Sequence, residues 1–251
     1  MEAGSEPHKD NHPIDLYKAI YPFARFFLNR KFKSTIVNPE NILDTPAIYA
    51  ANHILAADSL LLTEAFTDTK HTPMRFVVKK GYAEGTGIDD KGKYGRTAKF
   101  IIDHTLHVPV SREGSSKEEY KLFEDRVAAT LARGDSLGIH PEGTRSEDNR
   151  LYRFKAGAAR LAIANQVPIV PVGLVYETRS NSSKVDAEIS FGQPIFPNEL
   201  EERPYTLIPG VKNKTDFMTQ VLENRVAKLT GMSQTHAFAV LRRIRQNNSQ
   251  E

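Results

Sequence analysis

The chain contains no cysteine and no tryptophan. Disulfides, a cysteine-based zinc site, an iron–sulfur cluster and a thiolate nucleophile are thereby excluded, and the missing cysteine fits a reducing compartment. Long apolar runs are missing too: the longest purely apolar or small stretch, Val167 to Tyr176, has ten residues, whereas a helix that crosses a bilayer needs about 20 apolar residues. No transmembrane helix is expected. Strong net charge is also absent, since 34 Lys+Arg against 31 Asp+Glu leave a formal +3. That is too little for the field that nucleic-acid binding draws on, so no nucleic-acid partner is expected. Met1 to Pro13 is polar and carries Glu2, Glu6 and Asp10, unlike the basic n-region and apolar h-region of a secretory signal. No G-x-S-x-G elbow leads from a strand into a helix, since the one such string, Gly134 to Gly138, runs from a helical segment into a β-type run, and no Walker-type glycine loop occurs, which argues against an α/β-hydrolase or a nucleotide-dependent kinase of the usual kind.

What is present is 251 residues, 39% hydrophobic, 9% aromatic and 26% charged, enough to bury a substantial core as one α/β domain. Residues 1–13 lack periodicity and read as a disordered tail. Residues 14–46 read as an amphipathic segment: Leu16, Ile20, Phe23, Phe26 and Phe27 recur at helical spacing, with Pro22 as a kink. Between Leu16 and Pro39 there are five basic residues, Lys18, Arg25, Arg30, Lys31 and Lys33, and no acid, so the charge surplus is concentrated there. Residues 47–250 read as a single domain. Its β-type runs are Ala47–Ala51, Arg75–Lys79, Leu106–Val110, Ser136–His140, Ile169–Val175 and Ala187–Phe191. Helical periodicity covers Ser59–Phe66, Lys117–Arg133, Ala156–Asn165, Thr215–Leu229 and His236–Arg245. The alternation predicts a largely parallel mixed sheet with helices on both faces, and ligands beyond the carboxyl ends of its strands.

Several polar clusters fall at such ends. Asn52-His53 follows the first run, and Asp58 opens the next helix. Residues five apart on one helix diverge by about 140°, so His53 and Asp58 meet only if His53 lies in the turn before the helix. The carboxylate then accepts from one imidazole nitrogen and leaves the other as a base. On spacing alone, Asp58 as a plain N-cap and His53 as a loop residue explains the pair as well. His140-Pro141-Glu142-Gly143-Thr144-Arg145-Ser146 follows Leu137–Ile139 and has the makings of an anion site: a guanidinium fork, a hydroxyl and an unobstructed backbone. Arg112 follows Val108–Val110, and Lys155 precedes the small-residue helix that starts near Ala156, where the helix dipole also favours an anion. Val167-Pro168-Ile169-Val170-Pro171-Val172-Gly173 is an apolar strand lined by prolines, fit to line an acyl-chain channel. His104 and His107 have the spacing of metal ligands on a helix but sit near a strand, where residues three apart face opposite sides, so no metal is expected. His140 reads as a packing residue.

Taken in order, Asn52-His53…Asp58, Val108-Pro109-Val110-Ser111-Arg112, Glu142-Gly143-Thr144-Arg145-Ser146 and Val167-Pro168-Ile169-Val170-Pro171, with Phe154-Lys155-Ala156-Gly157 as a fifth match, resemble the phospholipid/glycerol acyltransferase family. Its best-known bacterial members are 1-acyl-glycerol-3-phosphate acyltransferases. The resemblance implies a glycerol-phosphate acyltransferase-like fold, His53 as general base and Asp58 as the group that orients its imidazole. It places Arg112, Glu142, Gly143, Thr144 and Arg145, assisted by Lys155, around a glycerol-phosphate acceptor. Acyl-CoA or acyl carrier protein is the implied cosubstrate, with no further cofactor, and a lysophospholipid the acceptor. Other glycerol-phosphate or glycolipid acceptors, a thioesterase or phospholipase-like hydrolase, and a catalytically silent lipid-binding relative are the competing readings. Backbone N–H groups near His53 or Gly143 are candidates for an oxyanion hole. The amphipathic start shifts the expectation to a peripheral enzyme on an anionic membrane at the cytoplasmic face. Gly81 to Thr97 reads as an insertion able to cover the site as a flap.

Overall fold

The computed structural model describes residues 17–70, 74–83, 104–111, 116–178, 180, 182–200, 210–235 and 237–239. Arg112, most of the 81–97 insertion, the 1–13 tail and most of the expected helix His236–Arg245 lie outside the described residues. Seven strands form one sheet: β1 (Phe32–Val37), β2 (Ile48–Ala51), β3 (Met74–Lys79), β4 (Val108–Val110), β5 (Ser136–Ile139), β6 (Ile169–Thr178) and β7 (Val185–Phe191). Their spatial order is β1-β7-β6-β2-β5-β3-β4. Every neighbour pair is parallel except β6 with β7, so the expected largely parallel mixed sheet is what forms.

The period of two along β2 sets the layers. Ile48 and Ala50 point into a core built from α4 (Lys117–Ala132), α5 (Gly157–Ala164) and α6 (Lys214–Thr230). Tyr49 and Ala51 point the other way, into a core with Leu62, Ala65 and Phe66 of α2 (Asp58–Lys70). Both faces are apolar because helices cover both. One short helix, α3 (Lys80–Ala83), follows β3. At the centre Gly138 of β5 leaves room for a ring: a Cβ there would meet the Phe76 ring at 2.4 Å, so only the missing side chain lets Phe76 lie across β5.

The first helix, α1 (Tyr17–Lys31), contains Pro22 as expected. It docks on α2 by a polar face. The Tyr21 hydroxyl donates to Asp68 Oδ1 at 2.8 Å, and Arg25 pairs with Asp68 at 2.8 Å and lies 3.7 Å from Glu64. Leu28 is buried beside Leu61 and Ala187. At 3.6 residues per turn, positions 21, 25 and 28 share one face, and Phe23, Phe26 and Phe27 lie opposite. All three phenylalanines are exposed, by 69%, 57% and 52%, and they pack on one another edge-to-face. The sequence reading placed no strand before Ala47, yet β1 pairs with β7 along its whole length, from Phe32↔Val185 to Val37↔Ser190. At this edge position no residue is fully buried and Lys33, Ser34 and Thr35 are all exposed, so the run FKSTIV shows no clean apolar period.

Candidate active site

The β2 strand ends at Ala51, and the chain turns through Asn52 and His53 before α2 begins at Asp58. The turn brings the two side chains together: His53 Nδ1 lies 2.8 Å from Asp58 Oδ2. A carboxylate only accepts, so Nδ1 carries the proton and Nε2 presents a lone pair. Asp58 is fully buried, and every contact on it is a donor. Oδ2 also accepts from the Ile54 and Leu55 N–H groups at 2.6 and 3.0 Å, and Oδ1 accepts from the Tyr176 hydroxyl at 2.6 Å. Burial alone would raise its pKa, but the hydrogen bonds from His53 and Tyr176, with the electrostatic influence of His140 and His53, outweigh it and hold the carboxyl below its usual range. Burial and the Asp58 charge push the Tyr176 phenol up, so it stays a donor.

Three further braces fix the turn. The Asn52 amide exchanges hydrogen bonds with β6, donating to Leu174 O at 2.9 Å and accepting from Leu174 N–H at 2.7 Å. Ser146 N–H donates to His53 O at 2.7 Å. Glu142, completely buried, accepts from His53 N–H at 2.8 Å through Oε1 and from Tyr152 N–H at 2.9 Å through Oε2. Burial pushes its carboxyl up to about 8 in spite of these two hydrogen bonds. Glu142 was expected among the acceptor-holding residues. Both of its oxygens accept from backbone N–H groups, and it ties the turn carrying His53 to the 140–152 loop.

The other members of that loop divide by exposure. Thr144 is 6% exposed, whereas Arg145 is exposed. Gly143 has φ +76°, a left-handed conformation that favours glycine. A Cβ on it would come within 3.1 Å of Lys155 Nζ, so the Lys155 ammonium lies over the bare Gly143 backbone. The Lys155 N–H closes the loop on Pro141 O at 2.9 Å. Two sequence motifs are thus one cationic feature, with Lys155 and Arg145 on the same loop system as the brace of His53. The candidate oxyanion donors are already engaged: Gly143 N–H donates to His140 O at 3.0 Å, and the N–H groups of His53, Ile54 and Leu55 go to Glu142 and Asp58.

The residues 33–175 match the acyltransferase family profile. The chain belongs to the acyltransferase family. It is an O-acyltransferase, and the shared region spans the strands and turns that build the site. Among similar proteins, a "Probable 1-acyl-sn-glycerol-3-phosphate acyltransferase" of Mycoplasma pneumoniae is 28% identical over 75% of this chain and 72% of its own. The chloroplastic 1-acyl-sn-glycerol-3-phosphate acyltransferase BAT2 of Brassica napus is 30% identical over 84% of this chain and 52% of its own. The crystal structure of the 1-acyl-sn-glycerophosphate acyltransferase PlsC of Thermotoga maritima superposes with a TM-score of 0.55 over 85% of this chain and 77% of that one, at 18% identity. At that identity the likeness shows a common fold.

Two residues that sequence reading left without a role join this acyltransferase site. Tyr176 lies late on β6 with no motif around it, and no local signal marks it. His140, expected to pack, does pack, and its partner is His53 itself: the two rings stack at 4.1 Å with an interplanar angle of 6°. Elsewhere, His107 Nδ1 accepts from Phe76 N–H at 3.1 Å, a structural use of a histidine. No cluster of metal-ligating side chains occurs among the described residues. Among them no helix is long and apolar enough to cross a membrane.

Proposed function

We propose that the protein transfers a fatty acyl group from acyl-CoA or acyl carrier protein to the free hydroxyl of 1-acyl-sn-glycerol 3-phosphate, giving phosphatidic acid. The observation that carries this reading is the His53 Nδ1 to Asp58 Oδ2 hydrogen bond at 2.8 Å, which fixes the tautomer needed for a base at Nε2. His53 Nε2 takes the proton of the acceptor hydroxyl while its oxygen attacks the thioester carbonyl. The C–S bond breaks, the thiolate takes the proton back from the imidazolium, and the free thiol leaves. Asp58 stabilises the imidazolium between the two transfers. The step balances with these groups and the thioester alone, and it forms no acyl-enzyme, in keeping with the missing cysteine and serine elbow. Lys155 and Arg145, with Arg112, supply the charge for the acceptor phosphate.

The work takes place at a lipid surface on the cytoplasmic face. The aromatic patch Phe23, Phe26 and Phe27 faces away from the body of the protein, while Arg30 lies over the Phe26 ring at 5.9 Å. Such a face inserts among headgroups and draws anionic lipid. Names of similar proteins support the acceptor. The test is thiol release from a long-chain acyl-CoA with and without lysophosphatidic acid. The expected result is acceptor-dependent release that His53→Ala abolishes. Release without acceptor assigns a hydrolase, and release with glycerol 3-phosphate in preference to lysophosphatidic acid assigns an earlier acylation.

A further inference from the structure

His140 touches His53 and both elements that flank its turn, β2 and α2. Its ring stacks on the His53 ring and has Phe76 of β3 close by, at 5.7 Å between centroids and a 32° tilt. Its Nδ1 is 3.1 Å from Ala51 O and 3.1 Å from Asn52 O, at the end of β2. Its Nε2 is 3.1 Å from Ser59 Oγ, in the first turn of α2. Carbonyl oxygens only accept, so Nδ1 carries the proton, and the neutral ring accepts the Ser59 hydroxyl at Nε2. Geometry therefore fixes the proton on Nδ1 with both nitrogens occupied, and burial favours the neutral ring.

From this arrangement we infer that His140 is a positioning residue for His53: a neutral stacking plate, hydrogen-bonded to β2 and α2, that holds the His53 imidazole in line with Asp58. The inference rests on the reading of His53 as the base. An imidazole that gains a proton in each cycle needs a neighbour that tolerates its charge. A neutral aromatic face at this distance attracts a cation, whereas a second imidazolium would repel it. The charged and titratable groups around His140 agree. His53 faces it from the turn, Asp58 lies behind His53 on α2, and from β3 the neighbour is the uncharged Phe76, with His107 beyond it at 6.4 Å from the Phe76 ring. Burial, followed by the proximity of His53, pushes His140 down to about 4, against the opposing pull of Asp58. A phenyl ring at position 140 could stack but could not bond the ends of β2 and α2, and alanine could do neither.

The experiment compares His140→Ala, His140→Phe and Ser59→Ala with the wild type, each checked for an unchanged circular dichroism spectrum. Acceptor-dependent thiol release is measured across pH, together with imidazole nitrogen NMR of the wild type and variants. The expected result is a kcat lower by roughly 10-fold or more in His140→Ala, the scale of a misplaced reacting group, with KM within about twofold. His140→Phe should fall between it and the wild type. In NMR, His140 should remain the neutral Nδ1–H tautomer at pH 5, and the His53 Nδ1–H signal should broaden or shift in His140→Ala. Wild-type kcat and pH profile in His140→Ala, with His53→Ala inactive, would overturn the inference while leaving the base intact. Activity retained in His53→Ala would instead overturn the reading of His53. A charged His140 at pH 6 by NMR would overturn the inference whatever the activity.

Discussion

The Tyr176 hydroxyl donates to Asp58 Oδ1 at 2.6 Å across 118 residues of sequence. It comes from β6, the strand paired with β2 on one side of the turn that carries His53, and it completes a set of donors that includes Ile54 N–H, Leu55 N–H and His53 Nδ1. The ring of Tyr176 in turn packs 6.2 Å from Phe32 at the start of β1, so the strand that follows the aromatic helix starts against the carboxylate's support.

Replacing Tyr176 by phenylalanine keeps that ring and removes the donor. Losing a hydrogen bond to a buried charge costs about 1.5–3 kcal/mol, and the variant should melt at a correspondingly lower temperature. The pH dependence follows from Asp58. Its pKa is lowered in the fold, so its contribution to stability is present above the ordinary carboxylate value and is lost as pH falls through the lowered one. Without Tyr176 the folded value rises, and both stability and activity should fail at a higher pH on the acid side. Superposable acid limbs for wild type and variant would contradict this.

Glu142 gives the opposite sign. Its folded-state value is raised to about 8 by burial, so its contribution is full below the ordinary carboxylate value and is lost as pH rises toward 8. Melting temperature should decline between pH 5 and 8, and Glu142→Gln should remove that component of the slope. The amide presents an NH2 where either His53 N–H or Tyr152 N–H needs an acceptor, so the variant should also lose about 1–3 kcal/mol overall. Melting curves over the pH series measure both effects.

Lys155 and Gly143 should separate binding from chemistry. Lys155→Ala removes a charge 3.1 Å from the position of a Gly143 Cβ without touching His53 or Asp58. The expected effect is an acceptor KM raised by roughly 10-fold at low salt, the loss of one charge-assisted contact, with kcat little changed. Gly143→Ala should act on both, since a Cβ at φ +76° is strained by roughly 1 kcal/mol and displaces the ammonium. Steady-state kinetics in lysophosphatidic acid, at two ionic strengths, gives the split.

The aromatic patch makes a prediction independent of catalysis. Changing Phe23, Phe26 and Phe27 together to serine removes side chains that are already exposed, so the fold should hold. Binding to anionic vesicles, measured by sedimentation, should weaken by more than tenfold if each ring contributes on the order of 1 kcal/mol of apolar transfer, and the remainder should vanish at high salt. Vesicle binding equal to that of the wild type would remove the patch from the membrane contact.

Much of this was legible along the chain. Every sheet run from Ala47 onward and the helices over 117–133, 156–165 and 215–229 appeared within a few residues of their places, because burial on both faces writes apolar runs into the strands and one-sided burial writes a helical period into the helices. The His53–Asp58 meeting was legible too, since it depends only on a turn of five residues before a helix. The edge strand β1 was not, because none of its residues is fully buried and three successive ones are exposed, which leaves neither an apolar run nor an alternation.

The sequence by itself determined which chemistry is available: no thiol, one histidine five residues before an aspartate at a strand-to-helix turn, and cationic residues after later strands. Tertiary structure alone decided how these groups are used. The spatial order β6-β2-β5 brings Tyr176 and Asn52's partner Leu174 to one side of the turn and Glu142 and His140 to the other. Glu142 reaches His53 over 89 residues, and no local period encodes a contact at that range. Strand order sets it, and strand order is fixed by which apolar faces can be buried together.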